Sequence, residues 1–70
     1  MIMSRNNLCY SSKLKELRGN RSRQDVANAV GVSRSAIAMY ERGERVPKDE
    51  VKLRLAKFFN TSVEKIFFAR

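Results

Sequence analysis

The clearest pattern in this sequence is a pair of short segments with helical periodicity, separated by a glycine, within residues 23–43. Apolar residues in both segments recur three or four positions apart, which is the period of an amphipathic helix and not the alternation of a strand. Polar and charged residues lie between them, so each segment has one face to bury. The apolar positions are Val26, Ala27 and Val30 before the glycine, and Ile37 and Tyr40 after it.

The residues that flank the two segments are typical of helix ends. Ser22 and Ser33 directly precede the segments, and a serine hydroxyl there accepts a hydrogen bond from a free N–H group of the first turn. Gly31 follows the first segment, and glycine readily adopts the left-handed conformation that ends many helices. Because only residues 31–33 connect the segments, we expect two helices that cross at a steep angle. Ala27 supplies the small side chain that a close crossing needs.

This stretch resembles the helix-turn-helix of the Cro and phage-repressor family, also called the XRE family. The family motif has a small residue, a glycine and several apolar residues at fixed positions. Here those positions hold Ala27, Gly31, Val26, Val30, Val32, Ile37 and Tyr40. The segments 41–43, 46–47 and 55–67 also resemble the family, so the likeness extends over residues 14–68. It implies an all-α, compact five-helix DNA-binding domain of the phage-repressor type.

The remainder of the chain is predicted to supply three more helices and no strand. Residues 1–10 have no clear period and are expected to form a flexible N-terminal segment, with the helix-turn-helix domain in residues 11–70. Pro47 suits the first turn of a helix, where its missing N–H group costs nothing. The predicted helices are residues 13–18 capped by Ser11 or Ser12, residues 23–30, residues 34–42, a fourth with Pro47 in its first turn, and a short fifth capped by Ser62.

The resemblance also implies one contact between helices. In the family, an arginine at the end of the first helix pairs with the glutamate that ends the second helix of the motif, and the corresponding residues are Arg18 and Glu41. The linker 19–21 is shorter than is usual in the family. An exposed, unpaired Arg18 therefore remains the alternative.

The net charge of +8 points to a polyanionic partner. The chain has fifteen lysines and arginines and seven acidic residues, and its isoelectric point is about 10.4. Such an excess attracts nucleic acid first and an anionic membrane surface second, although it also occurs on merely soluble basic proteins. No apolar run approaches the roughly 18 residues that a membrane span needs, so no spanning segment is predicted, and nucleic acid rather than a membrane is the expected partner.

The residue types present argue against an enzyme. The chain has one cysteine and no histidine, so it offers no Ser-His or Cys-His pair and no zinc-ligand spacing. A lone cysteine cannot form an internal disulfide, which favours the reducing cytoplasm. We therefore expect a cytoplasmic, non-enzymatic protein with no catalytic residue, metal or cofactor.

By resemblance, the second helix of the motif enters the major groove of double-stranded DNA. The family's base-reading positions fall on Arg34, Ser35, Ala38 and Met39. Arg34 can donate two hydrogen bonds to guanine or, as the alternative, one to a phosphate. The DNA backbone candidates are Ser22, Arg23, Gln24, Ser33, Arg42, Gly43 and Arg45.

A single small module binds DNA weakly, and relatives usually dimerise on an inverted repeat. Leu53, Phe67 and Phe68 are the candidates for a homodimer interface, although Phe67 can equally complete the core. The expected function is a sequence-specific transcriptional regulator, a repressor of phage or mobile-element type. The alternatives are an antitoxin, a controller protein of a restriction–modification system, and a module that binds only proteins.

Overall fold

The structure is a computed structural model that describes the backbone of residues 2–68 and the side chains of residues 10–68. Within that range it contains helices and no strand, as the sequence predicted. The helices are α1 (Ile2–Arg18), α2 (Arg23–Val30), α3 (Arg34–Glu41), α4 (Asp49–Phe58) and α5 (Val63–Phe67). None of the helices in the described part of the chain combines the length and hydrophobicity that crossing a bilayer requires.

The turn between α2 and α3 is built from the capping residues that the sequence indicated. The Ser22 hydroxyl accepts a hydrogen bond from the Asp25 N–H at 3.0 Å, and Ser33 starts α3 in the same way. Gly31 ends α2 with φ +74°, in the left-handed region that a Cβ atom disfavours. The predicted connection is therefore confirmed, and its brevity sets α3 across α2.

The start of α1 differs from the prediction. The helix begins at Ile2, so Ser11 and Ser12 lie inside it, and the predicted cap at either serine was wrong. The polar run Arg5–Asn7 obscured the helical period, because asparagine is a poor helix former and no apolar residue marks the buried face there. The flexibility assigned to residues 1–10 stays a prediction.

The start of α4 also lies later than expected. Lys48 is the N-cap residue, with an extended backbone at ψ 160°, so Pro47 precedes the helix and its predicted place in the first turn was wrong. Pro47 is instead a buried residue of the loop that follows α3. At α5 the prediction is confirmed, since the Ser62 hydroxyl accepts from the Lys65 N–H at 3.2 Å.

The hydrophobic core draws on all five helices. Ala27 is completely buried, as its place at the helix crossing requires. Helix α1 packs on α3 and α5, α2 packs on α3 and α4, and α4 packs on α5. This packing holds α2 and α3 in fixed relation and leaves the outer face of α3 free. The buried apolar residues are Tyr10, Leu14, Val26, Ala27, Val30, Ala36, Ile37, Tyr40, Leu55, Ala56 and Ile66.

Candidate nucleic-acid interface

The predicted base-reading residues lie on the side of α3 away from the core. Arg34 and Ser35 are exposed, and Ala38 and Met39 are half-buried. The opposite side carries Ile37 and Tyr40, as expected, together with Ala36, whose burial the sequence did not indicate. The N-terminal turn of α3 is thus the most accessible part of the helix.

A shallow polar depression lies beside the N-terminus of α2. It brings Arg34 together with three residues that the sequence assigned to the DNA backbone, and it adds Arg18, which the sequence assigned to an internal ion pair. Three guanidinium groups therefore surround one opening, next to the partial positive charge of a helix N-terminus. The residues that line it are Arg18, Ser22, Arg23, Gln24 and Arg34.

Glu41 joins two of these arginines. Arg18 donates from Nε to Glu41 Oε2 at 2.6 Å and from Nη2 to Oε1 at 3.2 Å, which confirms the predicted pair. Arg23 donates from Nε to the same Oε1 at 3.1 Å. The sequence did not indicate this third partner, because Arg23 and Glu41 meet only through the crossing of α2 and α3.

Burial and hydrogen bonding act on Glu41 in opposite directions. Burial alone would raise the pKa of the carboxyl group, but the hydrogen bonds and charges of Arg18 and Arg23 hold that pKa below its ordinary value. Glu41 is therefore ionised at neutral pH. Its single negative charge leaves an excess of positive charge among the arginines around the depression.

Two other backbone candidates are also engaged within the protein. Arg42 forms a bidentate pair with Glu44, from Nε to Oε2 at 2.9 Å and from Nη2 to Oε1 at 3.1 Å. Both side chains are about half exposed, so the pair is open to solvent and weak. Gln24 donates from Nε2 to Asn28 Oδ1 at 2.9 Å. These contacts orient the side chains of Arg42 and Gln24, and their role in binding DNA stays a prediction.

The loop after α3 is held in place by α1. The Tyr10 hydroxyl donates to the carbonyl oxygen of Arg45 at 3.1 Å, and burial raises the pKa of that hydroxyl. The Arg45 side chain remains exposed. Tyr10 is therefore a supporting residue of this face, and this role could not be predicted from the sequence because its partner is a backbone atom of a distant loop.

The three dimer candidates separate into two groups. Leu53 is 63% exposed and Phe68 is 62% exposed, so both are apolar residues that the single chain leaves in solvent. Phe67 is half-buried and packs against the ring of Tyr10, with 5.7 Å between centroids. It therefore contributes to the core, which was the alternative interpretation of this residue.

Comparison with known proteins agrees with this geometry. The family model described as helix-turn-helix matches residues 14–66, a range that contains the crossing of α2 and α3 and the helices that support it. The chain belongs to the XRE-type helix-turn-helix family. Membership in this family implies binding to DNA.

Relatives of this helix-turn-helix chain include regulators from bacteria and archaea. The cryptic phage CTXphi transcriptional repressor RstR of Vibrio cholerae is 36% identical over 59 residues, which cover 81% of this chain and 53% of RstR. An uncharacterised HTH-type transcriptional regulator of Methanocaldococcus jannaschii is 38% identical over 58 residues, covering 80% of this chain and 88% of the relative. The chain thus spans about half of RstR. No solved structure matches it significantly.

Proposed function

We propose that this helix-turn-helix domain binds a specific double-stranded DNA sequence and acts as a transcriptional repressor that blocks a promoter. The observation that supports it best is the exposed N-terminal turn of α3, where Arg34 and Ser35 stand beside the arginine-lined depression. A groove-reading helix next to a phosphate-binding surface is the arrangement that helix-turn-helix recognition uses. The similarity to RstR, a phage transcriptional repressor, supports the sign of regulation.

In this proposal α3 lies in the major groove and its exposed residues read base edges. Arg34 donates two hydrogen bonds to the O6 and N7 atoms of a guanine. Ser35 can donate or accept, so it tolerates several bases. Ala38 and Met39 have no directional donor and contact a thymine methyl group or exclude a base. Most of the base discrimination therefore falls on Arg34.

The register on DNA is set by contacts to phosphates, which carry no sequence information themselves. Near the depression these come from Ser22, Arg23 and Gln24, beside the free N–H groups at the start of α2. Ser33 adds a contact at the N-terminus of α3, and Arg42, Gly43 and Arg45 add contacts beyond its C-terminus; all four residues are exposed. Because several cations take part, binding should weaken steeply as salt is added.

A second copy of the chain completes the proposal. One module of this size buries little surface on DNA, whereas two copies related by a two-fold axis read an inverted repeat. The exposed Leu53 and Phe68 are the apolar residues that such a contact would cover. The protein would then act as a homodimer on an operator, in the cytoplasm where the DNA of its host is found.

Selection of bound duplexes from a random DNA pool tests this function. The expected result is one enriched motif with two-fold symmetry, bound more tightly than a scrambled duplex. Lys65→Ala is a control for the loss of one positive charge away from the proposed interface, because Lys65 is exposed on α5, which packs on α1 and α4. Its selected motif should equal that of the native chain. A pool that yields no motif would point instead to a module that binds proteins.

A further inference from the structure

The two arginines that share Glu41 differ in what they have left to donate. Arg18 uses Nε and Nη2 on Glu41, and its Nη1 donates to the carbonyl oxygen of Arg21 at 2.8 Å. Each nitrogen of its guanidinium group is thus engaged. Among the residues that the structure describes, Arg23 donates through Nε alone. Both terminal amino groups of Arg23 therefore remain available for a ligand.

The accessibility of these side chains follows the same order. The side chain of Glu41 is 2% exposed and that of Arg18 is 19% exposed, whereas that of Arg23 is 36% exposed. The series of contacts thus runs from a buried carboxylate to an arginine at the surface. Arg23 lines the depression together with Ser22, Gln24 and Arg34.

From this arrangement we infer that Glu41 is a positioning residue for DNA binding, which fixes the Nε edge of Arg23 so that its two terminal amino groups grip one DNA phosphate. The inference rests on the proposed function, since it assigns a phosphate to the depression. A guanidinium group is planar, so holding one edge sets the direction of the others. Two parallel hydrogen bonds to one phosphate can then form without first ordering a long side chain.

Glu41 also carries a negative charge close to the proposed phosphate, and this gives the test a clear sign. If the carboxylate acted only through space, its removal would relieve repulsion and strengthen DNA binding. If it positions Arg23, its removal releases the side chain and weakens binding. Glu41→Gln keeps the size of the side chain and removes the charge, so the direction of the change in Kd separates the two roles.

The experiment measures the Kd of the native chain and of Glu41→Gln on one duplex, taken from the selected pool, at several salt concentrations. We expect Glu41→Gln to bind about threefold to tenfold more weakly, the scale of the entropic cost of ordering one long side chain. The slope of log Kd against log salt should also fall in magnitude by about 0.9 for each phosphate that the variant no longer binds. Unchanged or tighter binding overturns the inference.

Glu50→Gln is the matched control, because Glu50 is likewise paired with an arginine, Arg54, but is exposed and lies on α4, outside the depression. This variant should bind as well as the native chain or slightly better. A weakening equal to that of Glu41→Gln would show a general effect of removing a carboxylate and would overturn the inference. Melting curves establish that each variant is folded at the temperature of the measurement.

Arg23→Lys keeps the test decisive if Glu41→Gln does not fold. Glu41 retains both hydrogen bonds from Arg18 in this variant, so the fold should persist. A lysine keeps the charge but cannot hold Glu41 with one edge and a phosphate with another. We expect weaker binding by about threefold or more, and native affinity would overturn the inference. A native chain that binds no duplex in a salt-dependent way would instead overturn the proposed function.

Discussion

Arg54 of α4 donates a hydrogen bond to the carbonyl oxygen of Val30, the last residue of α2, with 3.4 Å between Nη1 and O. The same guanidinium group also pairs with Glu50 at 3.5 Å. Arg54 thus supplies a donor to the C-terminus of α2, where carbonyl groups lack helical partners. The turn of the motif is therefore supported by α4 as well as by its own residues.

This contact gives Gly31 a second role and leads to the first prediction. A Cβ atom at Gly31 would lie 3.3 Å from Arg54 Nη1, and the backbone there has φ +74°. Gly31→Val should lower the free energy of unfolding by more than about 1 kcal/mol, because a β-branched side chain clashes in the left-handed region. Urea denaturation measures the change. Gly31→Asn is the control and should be destabilised less, because asparagine tolerates this conformation. An unchanged denaturation midpoint for Gly31→Val would show that the turn is built differently.

The second prediction separates a base contact from a phosphate contact. Arg34→Ala should cost about 1–3 kcal/mol on the selected site and relax the preference at one base pair, with a smaller effect on scrambled DNA. Arg23→Ala should weaken both duplexes alike and reduce the salt slope by about 0.9 per phosphate, doubled in a dimer. Binding isotherms on both duplexes at several salt concentrations measure these effects.

Equal weakening of both duplexes by Arg34→Ala would make Arg34 a phosphate clamp within the depression. Specificity would then have to come from Ser35, Ala38 and Met39, or from the shape of the DNA.

The third prediction concerns stability at acid pH. The pKa of Glu41 is lowered from its ordinary value of 4.5, so the folded protein favours the carboxylate. The resulting stabilisation is complete above that ordinary value and disappears as the pH falls through the lowered pKa. Glu41→Gln should be less stable than the native chain by about 1–3 kcal/mol at neutral pH, and this difference should shrink as the pH is lowered below 4.5. Urea denaturation across this range measures it. A difference that stays constant would contradict the argument.

The fourth prediction concerns the second copy of the chain. If two copies read an inverted repeat, the centres of their half-sites should lie one helical turn apart, about 10 base pairs or a multiple. Leu53→Gln should weaken dimer formation while changing the free energy of unfolding by less than about 0.5 kcal/mol, because the side chain is already exposed. Sedimentation measures dimer formation, footprinting measures the spacing of the half-sites, and urea denaturation measures the free energy of unfolding.

Val46 offers a matched control for the dimer, since it is also apolar and 58% exposed but lies in the loop after α3. Val46→Gln should leave the oligomeric state unchanged. A footprint over one asymmetric half-site would rule out the proposed dimer.

Features that depend on residues close together in the chain could be predicted from the sequence. The serines that cap α2, α3 and α5 act within three positions of themselves, and Gly31 ends α2 through its own backbone. Helical periodicity likewise identified most of the core, including Ala27. The family resemblance added the pair of Arg18 and Glu41. Capping hydrogen bonds and helical periodicity depend on the spacing of residues along the chain, so these features were predictable.

Contacts between groups that are distant in the chain could not be predicted and became visible in the fold. Arg23 reaches Glu41, and Arg54 reaches the carbonyl oxygen of Val30, because helices cross at particular angles and heights. The same holds for Phe67, which packs on Tyr10 of α1. The start of this helix was not predicted from the sequence. Spacing along the chain does not encode the relative placement of two helices. That placement follows from the packing of the whole core, and with it the direction in which Arg23 can donate.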